Sequence, residues 1–160
     1  MTRTLCLFLA VGAVGLTAHP AAATSTQLPF VGTYSGAAAF TSETSVSFSG
    51  TGVSTIIGLS ANEGQIVITG PDTSCPGGLA NIHTDTLTAA NGDSLTFIAH
   101  DVACPTGPGD FHGTGHFAIT GGTGRFRGAT GQGTVEGRAD FNEGRFRFTL
   151  TGTISAPHRG

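Results

Sequence analysis

Residues 119–131 read ITGGTGRFRGATG, a glycine-dense stretch that lies between two runs of alternating apolar and polar residues. In the run that follows it, Val135, Ala139 and Phe141 fall on one side of the chain. Polar and charged residues fall on the other side. A period of two is typical of a β-strand with one buried face. The stretch therefore predicts a turn that joins two strands.

The glycines at positions 122, 124 and 128 also invite comparison with a nucleotide-binding loop. That loop lies between a parallel strand and a helix whose N-terminus faces the phosphates. Here residues 134–141 have the period of a strand, and no lysine follows the glycines as a P-loop requires. Too few residues remain after Gly131 for the rest of a doubly wound sheet. The pattern argues against a nucleotide site.

The GGTGRFRGA segment at residues 121–129 resembles a motif of dirigent proteins and of the wider allene oxide cyclase barrel-like group. The resemblance implies a small secreted β-barrel. It also implies, as one possible function, control of stereochemistry in the coupling or ring closure of a small molecule.

The first 23 residues have the organisation of a secretory signal peptide. Arg3 is followed by the apolar run Leu5–Leu16 and by Ala21–Ala23, small residues suited to cleavage near Ala23. The apolar run is too short to span a bilayer about 30 Å thick, and we expect no membrane anchor. The sequence thus predicts a signal peptide at 1–23 and a single domain at 24–160, secreted to the extracellular space or periplasm.

The charge balance limits the partners that this chain can bind. Its formal net charge is −3 and it contains no lysine, so there is no electrostatic reason to bind nucleic acid or anionic membranes. Mechanisms that need a lysine amine are excluded. We expect no cofactor, and the oligomeric state is left open.

Two cysteines, Cys75 and Cys104, lie in the predicted mature domain, and each is followed by proline. In an oxidising compartment such a pair predicts a disulfide, which would contribute about 3–4 kcal/mol on the chain-entropy model. The alternative is a catalytic thiol with His100 or His112 as its base. It is disfavoured because a free reactive cysteine survives poorly outside the cell.

Three tripeptide or dipeptide turns divide the chain into strands: Asn62–Gly64, Asn91–Gly92 and Asn142–Gly144. About eight strands result between residues 28 and 156, with no convincing helix. We predict an all-β fold, an eight-stranded antiparallel up-and-down barrel. If the direction reverses at every turn, both cysteines lie at one end of the barrel and the glycine-rich stretch at the other.

The inward face of these strands is rich in phenylalanine. The predicted ligand-binding residues are Phe117, Phe141, Phe146 and Phe148, and Phe126 is expected to plug the glycine-rich end. Inward glycines at 113, 115 and 137 either leave room for a ligand or permit tight strand coiling; coiling is favoured.

Two polar residues are candidates for catalysis or for a polar ligand contact. Tyr34 shares a face with Phe30 and Phe40, and Asp101 shares a face with Leu95 and Phe97. A carboxyl inside the barrel would have a raised pKa and could serve as an acid or base.

The histidines at 100, 112 and 116 are the densest group of titratable side chains, together with Asp101 and Asp110. On a strand, His112 and His116 are about 13 Å apart at 3.3 Å per residue. They cannot both bind one ion unless the strand bulges. We therefore expect surface histidines and no metal site.

The sequence favours a non-enzymatic secreted barrel that binds a small apolar molecule or acts as a stable scaffold. The alternative is a dirigent-like or cyclase-like protein that holds a reactive intermediate. Convergence of Tyr34 and Asp101 on an enclosed cavity would favour the alternative, and a filled interior would favour a scaffold.

Overall fold

The computed structural model describes residues 26–157, which form a closed barrel of eight antiparallel strands joined in sequence order. Each strand pairs with the next, and the last pairs with the first. The predicted fold class is thus confirmed, while the predicted signal peptide lies outside the described residues. The strands are β1 (Gln27–Ser42), β2 (Ser45–Ser54), β3 (Gly58–Asp72), β4 (Gly78–Ala89), β5 (Ser94–Gly107), β6 (Asp110–Gly122), β7 (Gly131–Asp140) and β8 (Arg145–Ser155).

The two ends of the barrel are built differently. The stapled end carries the turns after β1, β3, β5 and β7, and there Cys75 and Cys104 form a disulfide with their Cα atoms 6.0 Å apart. The opposite end carries the glycine-rich stretch, which contains one 3-10 turn at Gly124–Phe126. No helix among residues 26–157 is long and apolar enough to cross a lipid bilayer. The pairing of the cysteines and their placement at one end are confirmed.

Two of the three predicted turns are present, at Asn91–Gly92 and Asn142–Gly144, and their glycines have φ of 86° and 62°. The turn predicted at Asn62–Gly64 is wrong, because these residues lie inside β3. The chain turns instead at residues 55–57, before Gly58 with φ 80°. Gly64 is needed for a different reason: a Cβ there would lie 2.9 Å from a ring carbon of Phe48.

Half of the interior, toward the glycine-rich end, is filled with apolar side chains. Phe126 is fully buried there and closes the barrel, as predicted. The Arg125 guanidinium lies 4.8 Å from the Phe126 ring centroid, and its Nε is 3.8 Å from Asp93 Oδ2. The largest residues of this closed half are Phe30, Tyr34, Leu87, Leu95, Phe97, Phe117, Phe126, Leu150 and Ile154.

Inward glycines allow neighbouring strands to approach closely. A Cβ on Gly115 would lie 2.5 Å from the Cα of Asp101, and one on Gly137 would lie 3.0 Å from the Cβ of Phe148. At Gly113, by contrast, the nearest atom is the Oδ2 tip of Asp101, at 2.8 Å. Strand coiling therefore explains Gly115 and Gly137, whereas Gly113 leaves room for the carboxylate of Asp101.

Candidate ligand-binding cavity

The half of the barrel toward the stapled end is hollow. It contains a cavity of about 110 Å³ bounded by side chains from all eight strands. Phe40, on the cavity wall near the end of β1, is 50% exposed and marks the rim. The interior is therefore filled in one half and hollow in the other. The hollow half, which we call the cup, opens at the stapled end, and the closed half forms its floor.

Seven phenylalanine rings line the cavity. Phe146 stacks on Phe148 with ring centroids 5.7 Å apart, and Phe48 meets Phe146 edge to face at 5.3 Å. Nearer the mouth, Phe141 lies 4.6 Å from Phe40 and 5.8 Å from Phe111. Alternation along β1, β2, β6 and β8 turns most of these rings inward, while Phe141 lies in the turn between β7 and β8. Together they give the cavity an apolar lining.

The inward polar groups of the wall lie together on β4 and β5. His83 Nε2 and Asp101 Oδ1 are 3.0 Å apart, with the two side chains 15% and 8% exposed. Asn81 is directly opposite Asp101 in the β4–β5 register. Asp85, two residues after His83, accepts a hydrogen bond of 3.0 Å from the Asn62 amide. The cup thus has one polar side and one aromatic side.

Burial raises the pKa of Asp85 to about 6, since desolvation penalises its charged form. The hydrogen bond from Asn62 and the nearby His83 oppose this rise, while the carboxylate of Asp101 adds to it. A carboxyl with a pKa in this range can exchange a proton near neutral pH. The polar side therefore has acid–base capacity as well as hydrogen-bonding atoms.

The predicted ligand-binding residues divide between the two halves. Phe141, Phe146 and Phe148 line the cavity. Phe117 does not, because it is buried in the closed half, with its ring centroid 5.5 Å from that of Phe97 and 6.1 Å from that of Phe30. Phe117 shares the inward face of the other three but lies farther from the stapled end.

The two polar candidates are also separated. Asp101 lines the cavity, as expected from its strand face. Tyr34 is fully buried in the closed half, where its hydroxyl is 3.0 Å from Ser60 Oγ and its ring stacks on Phe148 at 5.4 Å. Desolvation raises the pKa of Tyr34. Tyr34 and Asp101 therefore do not converge on one cavity, and Tyr34 has a structural partner for its hydroxyl.

The histidines of β5 and β6 lie on the outside of the barrel. His100 and His116 are cross-strand neighbours, and His112 is 3.1 Å from Glu136 Oε1. All three alternate with inward residues such as Phe117. Between residues 26 and 157 no group of three His, Cys, Asp or Glu side chains is arranged to hold a metal ion.

Sequence reasoning missed three cavity residues on β4: Asn81, His83 and Asp85. The signal was present, because strict alternation from Leu79 to Leu87 places all three on the face of those two leucines. A run of inward polar residues between two inward leucines is unusual for a filled barrel and indicates a polar cavity wall.

Comparison with known proteins adds no assignment to this geometry. No protein-family model matches the chain, and neither curated proteins nor solved structures give a significant match.

Proposed function

We propose that this protein is a non-enzymatic, ligand-binding β-barrel that takes a small, mainly apolar molecule into the hollow half of its interior. The observation that carries the proposal is the contrast between the two halves. One is packed by Phe117, Phe126 and their neighbours, while the other leaves about 110 Å³ open beside Phe141, Phe146 and Phe148. Natural cores are close-packed and contain few voids larger than a water molecule.

The size and lining of the cavity support a small ligand. A dry, apolar cavity of about 150 Å³ admits a single benzene ring, so this cup would hold one ring or a short alkyl chain. A longer molecule would extend past Phe40 at the rim. Burial of apolar ligand surface against the rings would supply most of the affinity, at about 25 cal/mol per Å², less the cost of immobilising the ligand.

A cavity-filling substitution tests this proposal. Ala103 lines the cavity on β5, so Ala103→Leu adds bulk where the ligand would lie. Ala118→Leu, the control, adds the same side chain on the exposed outer face of β6. Wild type and control should gain thermal stability with some members of a panel of small apolar compounds, and Ala103→Leu should not. A panel that stabilises none of the three proteins refutes ligand binding and leaves a scaffold role.

A second candidate, a dirigent-like or cyclase-like activity, is favoured by one observation. His83, Asp85 and Asp101 place acid–base groups on the wall of an apolar cavity that could confine a reactive intermediate. The resemblance of residues 121–129 to the allene oxide cyclase barrel-like group supports the same candidate. A direct test is the oxidative coupling of a 4-alkenylphenol by a one-electron oxidant, which gives racemic products in solution. An enantiomeric excess that is lost in Asp101→Asn supports the activity, and a racemic product with wild type refutes it.

A further inference from the structure

We infer that the ligand of this cavity carries a basic amine, an apolar molecule with an ammonium group that lies against Asp101 and Asn81. This inference rests on the proposed binding function and names the chemical class of its ligand. Two observations support it: some hydrogen-bonding atoms on the polar side have no partner among the described residues, and the inward-facing charges include two carboxylates.

The free polar atoms on the cavity wall include two acceptors. Asp101 uses Oδ1 for His83, and its Oδ2 lies beside Gly113 with no hydrogen-bond partner within residues 26–157. Asn81 is only 7% exposed, and its buried Oδ1 also lacks a partner in the described chain. A buried acceptor without a donor costs free energy. An ammonium group supplies three donors and no acceptor, so it can donate to the free Oδ2 of Asp101, opposite Asn81 in the β4–β5 register.

The ionisable groups that face the cavity favour a positively charged ligand. Asp85 and Asp101 are the carboxylates among the lining residues, and His83 is the one inward group that can carry a positive charge. Arg138 and Arg147 also border the cavity, but both are exposed and alternate with inward residues of β7 and β8. An ammonium ion is therefore attracted to the polar side, whereas a carboxylate head would be repelled there.

The opposite wall matches the rest of such a molecule. The rings of Phe146 and Phe148 lie on β8, away from the polar side on β4 and β5. Phe48 on β2 lies between the two walls, with its ring centroid 5.3 Å from that of Phe146 and 6.3 Å from that of His83. An alkyl or aryl group would pack against these rings. An ammonium near an aromatic face also gains a cation–π attraction.

The amine preference should depend on pH through Asp85. Asp85 is faced by Asn62 on β3, by His83 on its own strand and by Asp101 on β5. Ionised Asp85 adds a second negative charge beside the ammonium, and protonation removes it. Amine affinity should thus fall as the pH decreases from 7 to 5.

Three six-carbon probes that differ only in their head group test the inference: n-hexylamine, hexan-1-ol and hexanoate. With the purified full-length protein at pH 7, isothermal titration calorimetry should show the amine binding about tenfold more tightly than the alcohol. Hexanoate should bind most weakly. Asp101→Asn should remove the tenfold preference and leave alcohol binding unchanged. Glu136→Gln, which changes the net charge equally on the outer face, should leave the preference intact.

The outcomes separate this inference from the proposed function. Equal binding of amine and alcohol by wild type, or tightest binding by hexanoate, overturns the amine inference while the cavity still binds apolar molecules. Absence of binding by all three probes and by the apolar panel overturns both. If Asp101→Asn does not fold, the pH series on wild type decides: several-fold weaker amine binding at pH 5 with constant alcohol binding supports the inference, and a constant ratio overturns it.

Discussion

Replacing Asp85 by asparagine should make the protein more stable at neutral pH. The substitution preserves the shape of the side chain and an oxygen to accept the hydrogen bond from Asn62. It removes a carboxylate that is 2% exposed and whose pKa is raised, mainly by desolvation, from 3.8 to about 6. Below pH 4 the wild-type carboxyl is protonated and neutral, and the two proteins should have similar stability.

The size of the effect follows from the pKa difference between the folded and unfolded chains. Because the folded pKa is higher, the native state binds more protons between pH 3.8 and 6, and wild-type stability decreases as the pH rises through that window. Each pKa unit corresponds to about 1.4 kcal/mol, so Asp85 costs the native state about 3 kcal/mol once it is fully ionised. Of this, about 2 kcal/mol should develop between pH 4 and pH 7.

Urea unfolding at pH 4, 5, 6 and 7 measures this difference. The free energy of unfolding of Asp85→Asn should exceed that of wild type by less than about 1 kcal/mol at pH 4 and by about 3 kcal/mol at pH 7. Glu63→Gln is the control, because Glu63 is an exposed carboxylate on β3 that faces solvent. A difference between Asp85→Asn and wild type that does not change with pH would refute the reasoning.

Three further substitutions separate structural from ligand-binding roles. Tyr34→Phe removes the buried hydrogen bond with Ser60 and should lower the free energy of unfolding in urea by about 1 kcal/mol. The thermal shifts induced by ligands should not change. Loss of those shifts would show that Tyr34 contributes to ligand binding. Phe148→Ala should cost about 3 kcal/mol, since the ring packs between the closed half and the cavity, and should weaken ligand binding as well. Replacing Cys75 and Cys104 by serine should cost about 3–4 kcal/mol, and a cost below 1 kcal/mol would contradict the loop-closure argument.

Much of the fold could be predicted because its determinants are local. Alternation marked the strands, Asn91–Gly92 and Asn142–Gly144 marked turns, and counting strand reversals brought Cys75 and Cys104 to one end. The same turn preference gave a wrong prediction for the tripeptide Asn-Glu-Gly at residues 62–64. Its asparagine is buried against Asp85 and its glycine makes room for Phe48. Tertiary contacts override a local turn preference there.

The candidate site was harder to predict for a geometric reason. Alternation decides whether a side chain faces the interior, but its height along the barrel depends on strand tilt and register. Phe117 and Phe111 share one face of β6, yet only Phe111 lines the cavity. Alternation along β4 was enough to predict that its polar residues face the interior. The hydrogen bond between His83 and Asp101 could not be predicted in the same way, because it depends on the register between β4 and β5.

Methyl NMR during titration with n-hexylamine tests the central claim most directly, because the two halves of the barrel carry different methyl-bearing residues. Val46, Ile66 and Ile68 line the cavity, whereas Leu150 and Ile154 are fully buried in the closed half. If the ligand binds in the cavity, chemical-shift changes and intermolecular NOEs should be confined to Val46, Ile66 and Ile68. Changes centred on Leu150 and Ile154, or absent at all five residues with n-hexylamine, with hexan-1-ol and with the apolar panel, would contradict a ligand-binding cavity at the stapled end.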